Sequence, residues 1–331
     1  MRIENLVRIT GGVLLNAPSV DSINDILTTS SKVQRENLFI DVNHDESKIA
    51  QALENGAYAI LTSTIPQIKD EEIAWICVED INKAIIKIAR FYAIQKKFTF
   101  ITLLTVQYAL AKCMQIDKKA KVLSSNPSDA LLEILKSKDN ETFFVVNSDF
   151  ITKIDPSITL PKNRVDPDKI FQSGLFYSTF IFRDKYINNL KLSPFFVPFL
   201  CALMEYLDEL HVEYSVDNFN HFEHFYPQFV NNNLEQKDFG STDKVLIFET
   251  DFELFLKELN FLEERYNHQS LVVFTPQETS FTCKVETIVY KSFCDIQNLK
   301  DIDFKYAIIY GRLQDFEESL KMKVTNQMSL F

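Results

Sequence analysis

Residues 51–61 read Gln-Ala-Leu-Glu-Asn-Gly-Ala-Tyr-Ala-Ile-Leu, and this stretch decides the fold class. The apolar residues before the glycine recur at helical spacing, so we predict a helix over residues 46–55. Gly56 follows at the position where helices commonly end in the left-handed conformation. The apolar run at residues 57–62 then predicts a buried strand. A helix followed directly by a buried strand is typical of α/β proteins.

The same alternation continues on both sides of this stretch. Residues 37–42 predict a buried strand before the helix, and residues 74–78 predict another strand after it. Asp80 then caps a predicted helix that runs through Tyr92. Together these elements predict a compact α/β domain over residues 1–95.

The remainder of the chain alternates less regularly, and we divide it into a central region at 96–238 and a shorter α/β part at 239–331. Neither contains an internal repeat. The predicted elements are a strand turning into a helix at 98–114, a helix at 130–136, a strand at 141–147, a loop at 155–168, a strand pair at 174–184, helices at 194–210, 221–229 and 252–266, a polar linker at 231–240, and strands at 244–248, 271–274 and 306–310.

Length and composition bound the function. The chain has 331 residues, which suits two or three domains, and a net charge of −11, which disfavours direct binding of nucleic acid or anionic membrane. We find no secretory signal and no apolar stretch near the ~20 residues of a membrane span, so we expect a cytoplasmic protein. The five cysteines are scattered, which predicts reduced, buried thiols and neither disulfides nor structural zinc.

Glycine is scarce, with six residues in the whole chain. A phosphate-binding loop needs glycine, because its backbone takes positive φ angles and approaches the phosphate without a Cβ in the way. No window of the sequence contains GxxxxGK[ST] or GxGxxG. The sequence therefore predicts that the protein has no glycine loop that could hold a nucleoside triphosphate.

Four segments of the first domain resemble one known family. They are Thr-Gly-Gly-Val-Leu-Leu at residues 10–15, Thr-Ser-Ser-Lys-Val at 29–33, Asn-Leu-Phe-Ile at 37–40 and the deciding stretch at 51–61. In order and spacing they resemble the N-terminal domain of Mur ligases, the MurF type most closely. The resemblance implies a three-part α/β architecture: this domain, an ATP-binding central domain, here eroded, and a Rossmann-like C-terminal domain, here shortened.

The same resemblance implies a binding site for a UDP-muramoyl nucleotide in the first domain. Its residues would be Thr29, Ser30, Ser31 and Lys32, which stand where the family has Asp-Ser-Arg and a basic residue. The family's Asp-Gly-His segment is shortened here to His-Asp-Glu at residues 44–46. Both changes alter the polar groups that would recognise the uridine nucleotide.

The family's catalytic groups are absent from the positions that match. Phe-Ile-Thr at residues 100–102 stands where the family strand enters its ATP loop, yet Leu-Leu-Thr-Val-Gln follows at 103–107 without glycine or lysine. Residues 145–148, Val-Val-Asn-Ser, stand where the family has a magnesium-binding glutamate. We therefore predict a non-catalytic homologue, a pseudo-ligase, with no catalytic residues, no metal and no cofactor, which acts by binding a ligand or a protein.

Three alternatives remain open. A divergent but active ligase would need lysines such as Lys96, Lys97 or Lys112 to converge on a rebuilt phosphate pocket. A helical pair at His221 and His224 could bind a metal, but we favour histidines on the polar side of a helix. The last alternative is a protein that binds the DNA polymerase III sliding clamp, since the C-terminal residues Gln327, Ser329, Leu330 and Phe331 resemble the clamp-binding peptide of bacterial replication proteins.

Overall fold

The structure is a computed structural model. None of the helices in the parts that it describes is long and apolar enough to cross a membrane. The described residues are 1–66, 68, 70–117, 120–157, 160–171, 174–220, 222–266, 270–276, 281 and 283–319.

The described chain divides into two compact units. The first comprises Met1–Asn163 and Ala202–Ser215, and the second comprises Arg164–Cys201 and the chain from Val216 onward. The predicted boundaries near residues 95 and 238 stay a prediction. Each unit is described by itself below.

A five-stranded sheet opens the first unit, in the order β1-β5-β4-β3-β2. Strands β2 to β5 run parallel and β1 pairs antiparallel with β5. Gly12 lies where a Cβ would approach Ile76 Cγ2 to 2.8 Å, so only glycine allows β1 this close to its neighbour. The strands are β1 (Val13–Leu14), β2 (Asp25–Leu27), β3 (Asn37–Ile40), β4 (Ala59–Thr62) and β5 (Ala74–Cys77).

Three helices pack on this sheet, and the second and third begin where the sequence predicts. Asp45 and Asp80 cap the second and third helices, because their carboxylates accept hydrogen bonds from first-turn backbone N–H groups. Gly56 has a φ of 89°, which confirms the predicted left-handed end of the second helix. The helices are α1 (Ile3–Thr10), α2 (Glu46–Glu54) and α3 (Ile81–Gln95).

A second, three-stranded parallel sheet completes the first unit, in the order β6-β9-β8. Its helices share one hydrophobic core with α3, in which Ile85 and Ile88 lie with Leu131 and Phe150. The elements are β6 (Thr99–Leu103), α4 (Thr105–Cys113), β7 (Gln115–Ile116), β8 (Ala120–Val122), α5 (Pro127–Lys136), β9 (Thr142–Val146) and α6 (Asp149–Ile154), and β7 pairs with the later strand Tyr214–Ser215.

The second unit contains a three-stranded antiparallel sheet and a five-stranded mixed sheet. The elements from residue 169 are β10 (Lys169–Ile170), β11 (Ser178–Phe182), β12 (Lys185–Leu190), α7 (Val197–Glu209), β13 (Tyr214–Ser215), β14 (Tyr226–Val230), β15 (Lys244–Glu249), α8 (Phe252–Arg265), β16 (Leu271–Pro276), β17 (Glu286–Tyr290) and β18 (Tyr306–Tyr310). Of these, β13 and α7 from Ala202 onward belong to the first unit. The mixed sheet has the order β14-β15-β18-β16-β17, with β14 antiparallel and the other four strands parallel. Short 3₁₀ turns lie at Ser30–Lys32 in the first unit and at Pro194–Phe196 and Phe293–Asp301 in the second.

One predicted helix is wrong. Residues 226–230 form β14, which pairs with β15 at the edge of the sheet, instead of a helix over 221–229. Pro227 explains the outcome, because proline removes a helical hydrogen bond but is tolerated in an edge strand. The predicted linker after it is a tight connection in which Leu234 is buried. The predicted strand pair at 174–184 extends to Leu190.

The cysteine prediction holds in part. All five cysteines are free thiols, as predicted, and Cys113 and Cys201 are buried. Burial raises the pKa of the Cys201 thiol to about 12, with smaller contributions from Asp168 and Asp166, so this thiol is unreactive. Cys294 is exposed, because it lies in the 3₁₀ turn at Phe293–Asp301 and not in an apolar strand.

Candidate functional site

The junction between β6 and α4 is the place where a phosphate loop would lie. Strand β6 ends at Leu103 and α4 begins at Thr105, so one residue, Leu104, connects them. A glycine-rich loop that wraps phosphate oxygens needs several residues with positive or extended backbone angles. The connection is therefore too short to enclose a phosphate group.

The chain itself fills this helix terminus with Gln107, whose side chain is fully buried. The Oε1 atom of Gln107 accepts a hydrogen bond from the Leu104 backbone N–H at 3.3 Å, and Nε2 donates to the Lys162 carbonyl at 2.7 Å. The amide thus occupies the N-terminal end of α4, where an anion would otherwise be attracted. The junction is satisfied by protein atoms.

The neighbouring strand end carries no metal ligand. Strand β9 ends at Val146, and Ser148 caps α6 by accepting a hydrogen bond from the Ile151 N–H at 3.4 Å. Among the described residues, no group of three or more His, Cys, Asp and Glu side chains could hold a metal ion.

The lysines of the active-ligase alternative do not converge here. The Nζ atom of Lys96 donates to the carbonyls of Leu135 and Ser137, both at 2.7 Å, and so stabilises the end of α5. Lys96 and Lys97 precede β6, and Lys112 lies in the last turn of α4. Since α4 returns along the sheet, all three belong to the amino edge of β6, whereas a phosphate loop lies at the carboxyl edge.

The predicted nucleotide-binding residues lie beyond the carboxyl end of β2. Ser30 to Lys32 form a 3₁₀ turn in which Thr29, Ser31 and Lys32 are exposed. Ser30 is buried, and its hydroxyl lies 2.7 Å from Gln51 Oε1, to which it donates. Ser30 therefore anchors the turn to α2 and is not free to bind a ligand, whereas its three neighbours are accessible.

Further polar groups follow the next two strands of the same sheet. After β3, Asp41 is 1% exposed; its Oδ1 accepts from the Asp45 N–H at 3.1 Å, but its Oδ2 has no partner among the described residues. After β4, Ser63 Oγ lies 3.1 Å from His44 Nδ1. Carboxyl ends of parallel strands are a common place for ligands, so this edge is a candidate binding site. Sequence reasoning missed Asp41, because the predicted strand at 37–42 included it, whereas the strand ends at Ile40.

A buried ionisable cluster lies at the carboxyl end of β15 in the second unit. His224 is 8% exposed, and its Nδ1 lies 3.0 Å and 3.1 Å from the two carboxylate oxygens of Glu249. Glu249 also accepts from the backbone N–H groups of Phe225, Thr250 and Asp251. His224 Nε2 is buried without a donor or acceptor among the described residues, and the buried carboxyl group of Glu258 lies within hydrogen-bonding reach of Glu249.

The charges of this cluster follow from its geometry. Burial lowers the pKa of His224, but the hydrogen bond and negative charge of Glu249 outweigh burial, so the net pKa is raised. Burial, and then repulsion from Glu249, holds the pKa of Glu258 well above its usual range. The surroundings thus favour a protonated His224 beside the Glu249 carboxylate and favour the neutral form of Glu258.

Sequence reasoning assigned His224 to the polar side of a helix, and this was wrong. Since residues 226–230 form a strand, His224 points inward and pairs with a glutamate 25 positions away. No local pattern indicates such a long-range pair. His221 and the predicted partner-binding residues Gln327, Ser329, Leu330 and Phe331 lie outside the described residues.

The fold resembles solved Mur ligases over nearly the whole chain. MurF from Acinetobacter baumannii aligns with a TM-score of 0.61 at 11% sequence identity, covering 97% of this chain and 98% of that one. The MurF ligase from Thermotoga maritima, solved in complex with ADP, aligns with a TM-score of 0.57 at 12% identity, covering 91% and 98%. No protein-family model and no curated protein matches the sequence. The chain therefore has a Mur-ligase-like α/β fold, and at these identities the likeness establishes the fold alone.

Proposed function

We propose that this chain is a non-catalytic protein with a Mur-ligase-like fold, which acts in the cytosol by binding rather than by forming an amide bond. The observation that carries the proposal is the one-residue connection at Leu104, closed by Gln107. A ligase of this fold needs ATP phosphates held at that helix terminus to activate a carboxylate. A one-residue connection with a buried amide beside it does not supply the loop of backbone N–H groups that would enclose the phosphates.

The ligand that we propose is a UDP-muramoyl nucleotide, bound at the carboxyl edge of the first sheet. Support comes from the exposed Thr29, Ser31 and Lys32 and from the unpartnered Oδ2 of Asp41. Lys32 would attract the diphosphate, and the Asp41 carboxylate would accept a hydrogen bond from a ligand N–H or O–H group. Both lie beyond neighbouring parallel strands.

Calorimetric titration with Mg-ATP and, separately, with UDP-N-acetylmuramoyl-tripeptide tests both parts. We expect no heat of binding with Mg-ATP and saturable binding of the UDP-sugar. Lys32→Glu should weaken UDP-sugar binding about tenfold through loss of a phosphate contact. Lys138→Glu, the same charge change on an exposed residue of the same unit, should leave it unchanged. Saturable binding of Mg-ATP would overturn the non-catalytic proposal, and silence with the UDP-sugar would overturn the proposed ligand.

The C-terminal sequence supports a protein partner as a second candidate. Gln327, Ser329, Leu330 and Phe331 match the chemistry of a clamp-binding peptide, in which apolar side chains fill a pocket and glutamine bonds its rim. We propose that these residues bind the DNA polymerase III sliding clamp. Surface plasmon resonance against purified clamp should show binding that the double variant Leu330→Ala/Phe331→Ala abolishes and Asn326→Ala retains. Equal binding by the double variant and the unaltered protein would exclude this partner site.

A further inference from the structure

A cavity of about 220 Å³ lies within the second unit, next to the His224–Glu249 pair. Its wall is formed mainly by aromatic side chains, and His224 lies among them. Lys191 and Asn220, both exposed, line the same cavity. The aromatic residues of the wall are Phe176, Phe196, Phe222, Phe225, Tyr226 and Phe239.

The aromatic rings form a continuous wall through edge contacts. Phe176 lies with its ring centroid 5.9 Å from Phe225 and 6.1 Å from Phe239, and Phe196 lies 4.8 Å from Phe222 in a T-shaped arrangement. Such contacts leave flat apolar surface facing the cavity. A wall of this kind favours a flat, aromatic occupant, which can make the same edge-to-face and offset contacts.

His224 lines this cavity and is a largely buried side chain with a nitrogen that has no hydrogen-bond partner among the described residues. Its ring is stacked at 29° to Phe196, and its Nδ1 is taken by the Glu249 carboxylate. Its Nε2 has no hydrogen-bond partner among the described residues, although the side chain is only 8% exposed. A buried polar atom left without a partner costs about 1–3 kcal/mol, so a site that retains one is suited to a ligand that supplies the partner.

The chemical character of that partner follows from the charge on the imidazole. The hydrogen bond and charge of Glu249 outweigh burial and raise the pKa of His224, which favours the form with a proton on Nε2. The neighbouring Glu223 and Asp251 act in the same direction. A donor on a cationic ring binds an anionic acceptor most strongly, and the exposed Lys191 adds a second positive charge to the cavity.

We propose that this cavity binds a small aromatic carboxylate, with its ring among the phenylalanines and its carboxylate between His224 and Lys191, the two basic side chains that line the cavity. An apolar pocket of about 150 Å³ is enough to hold benzene, so 220 Å³ accommodates a benzene ring with a short acidic side chain. A mostly apolar wall with a few fixed polar groups is the usual composition of a small-molecule site. This site is independent of the proposed nucleotide site, because all of its residues belong to the second unit.

The test uses the full chain with trans-cinnamate as the probe, cinnamyl alcohol as its neutral counterpart and acetate as the ring-free counterpart. Calorimetry should show saturable cinnamate binding, at least about tenfold weaker binding of the alcohol and none of acetate. In protein labelled with ¹⁵N-histidine, which has five histidines, cinnamate should shift the Nε2 resonance of one histidine. The spectrum of His224→Gln identifies which resonance that is.

Variants at the mouth of the cavity separate binding from folding. Phe239 is 51% exposed, so Phe239→Ala should fold normally and weaken cinnamate binding about tenfold. Tyr186→Ala, which removes an aromatic ring that is 61% exposed and outside this cavity, is the matched control and should bind as the unaltered protein does. Asn220→Trp should fill the mouth and abolish binding. Absence of saturable cinnamate binding, equal binding of the alcohol, or full binding by Asn220→Trp would each overturn the proposal.

Discussion

Two strand-to-helix junctions of this chain contrast sharply. At the carboxyl end of β6, a single residue leads into α4, and the buried Gln107 side chain satisfies both a backbone N–H and a carbonyl. At the carboxyl end of β15, the buried Glu249 carboxylate is hydrogen-bonded to the His224 imidazole and to three backbone N–H groups. There His224 Nε2 stays without a partner among the described residues, and Glu258 buries a second carboxyl group beside Glu249.

The difference indicates which of the two junctions has a structural role and which is suited to binding a ligand. Buried polar atoms without a hydrogen-bond partner lower stability. Where they have no function, hydrogen-bonded or apolar groups are expected in their place. At the β6–α4 junction the buried Gln107 side chain is hydrogen-bonded at both ends, which fits a purely structural role. The end of β15 retains unmet hydrogen-bonding capacity, which fits a binding role. Chemistry is therefore better sought in the second unit than at the place where the fold's ATP loop would lie.

The largest expected effect comes from Glu249→Gln, which would disrupt the buried polar cluster at the end of β15. The amide NH₂ group of the variant would face N–H groups whose hydrogen bonds the Glu249 carboxylate now accepts. His224 would also lose its buried negative partner. Breaking a buried ion pair costs about 3–5 kcal/mol. Urea unfolding followed by circular dichroism should show a loss of this size in the free energy of unfolding.

An exposed glutamate on the following helix provides the control. Glu253 lies on α8 with 88% of its side chain exposed, at 3.9 Å from Lys257. Glu253→Gln should change the free energy of unfolding by less than about 0.5 kcal/mol. Equal, small losses for both variants would show that the cluster at β15 is no more than a solvated surface group.

The second prediction concerns the pH dependence that Glu258 produces. Its pKa is raised in the folded state, so its protonation favours folding below the unfolded pKa of about 4.3, and this contribution is lost as the pH rises toward the folded pKa. Glu258→Gln keeps a neutral group that can donate to Glu249. We expect it to stabilise the protein by about 1–4 kcal/mol near pH 8, with a gain that shrinks toward pH 5.

Unfolding curves at about pH 5 and pH 8 for the unaltered protein and Glu258→Gln measure this gain. His224 also has a raised pKa, so its contribution is likewise lost as the pH rises, but the difference between the two proteins isolates Glu258. A gain that is the same at both pH values would mean that Glu258 is ionised in the folded state, contrary to the cluster described above.

The sequence predicted the first unit well because its signals are local. The helix that ends at Gly56 and the helix capped by Asp80 each follow from a few adjacent residues, and the parallel strands between them are continuous apolar runs. The prediction that no glycine loop holds a phosphate is local as well, since glycine and lysine are needed within one short window. The structure adds only the side chain, Gln107, that closes the junction.

The cluster at β15 was not predictable for the opposite reason. Aromatic residues at 222, 225 and 229 recur at a spacing that also suits a helix, although Pro227 disfavours one. A helix over this segment would place His224 on its polar surface. Its partner Glu249 and the neutral Glu258 come from a strand and a helix that follow later, and only the register of β14 on β15 brings them together.

The third prediction concerns the β6–α4 junction, where Gln107 is fully hydrogen-bonded. Gln107→Ala would leave the Leu104 N–H and the Lys162 carbonyl without their partner in a buried place. The expected loss is about 1–3 kcal/mol in the free energy of unfolding, without any gain of Mg-ATP binding. Gln95→Ala, at an exposed helical position of the same unit, should be nearly neutral. A silent Gln107→Ala would show that the amide does not hold the junction closed.

The smallest expected effect distinguishes structure from binding within the turn after β2. Ser30→Ala removes the 2.7 Å bond to Gln51 and should cost about 1 kcal/mol, whereas Ser31→Ala, at an exposed position, should cost less than about 0.5 kcal/mol. A double-mutant cycle with Gln51→Ala should assign most of the Ser30 loss to the pair. For UDP-sugar binding the order should reverse, with Ser31→Ala the more damaging, because only the exposed serine can reach a ligand. If both serines affect stability and binding alike, the turn has no division of roles, and the proposed nucleotide edge loses its accessible residues.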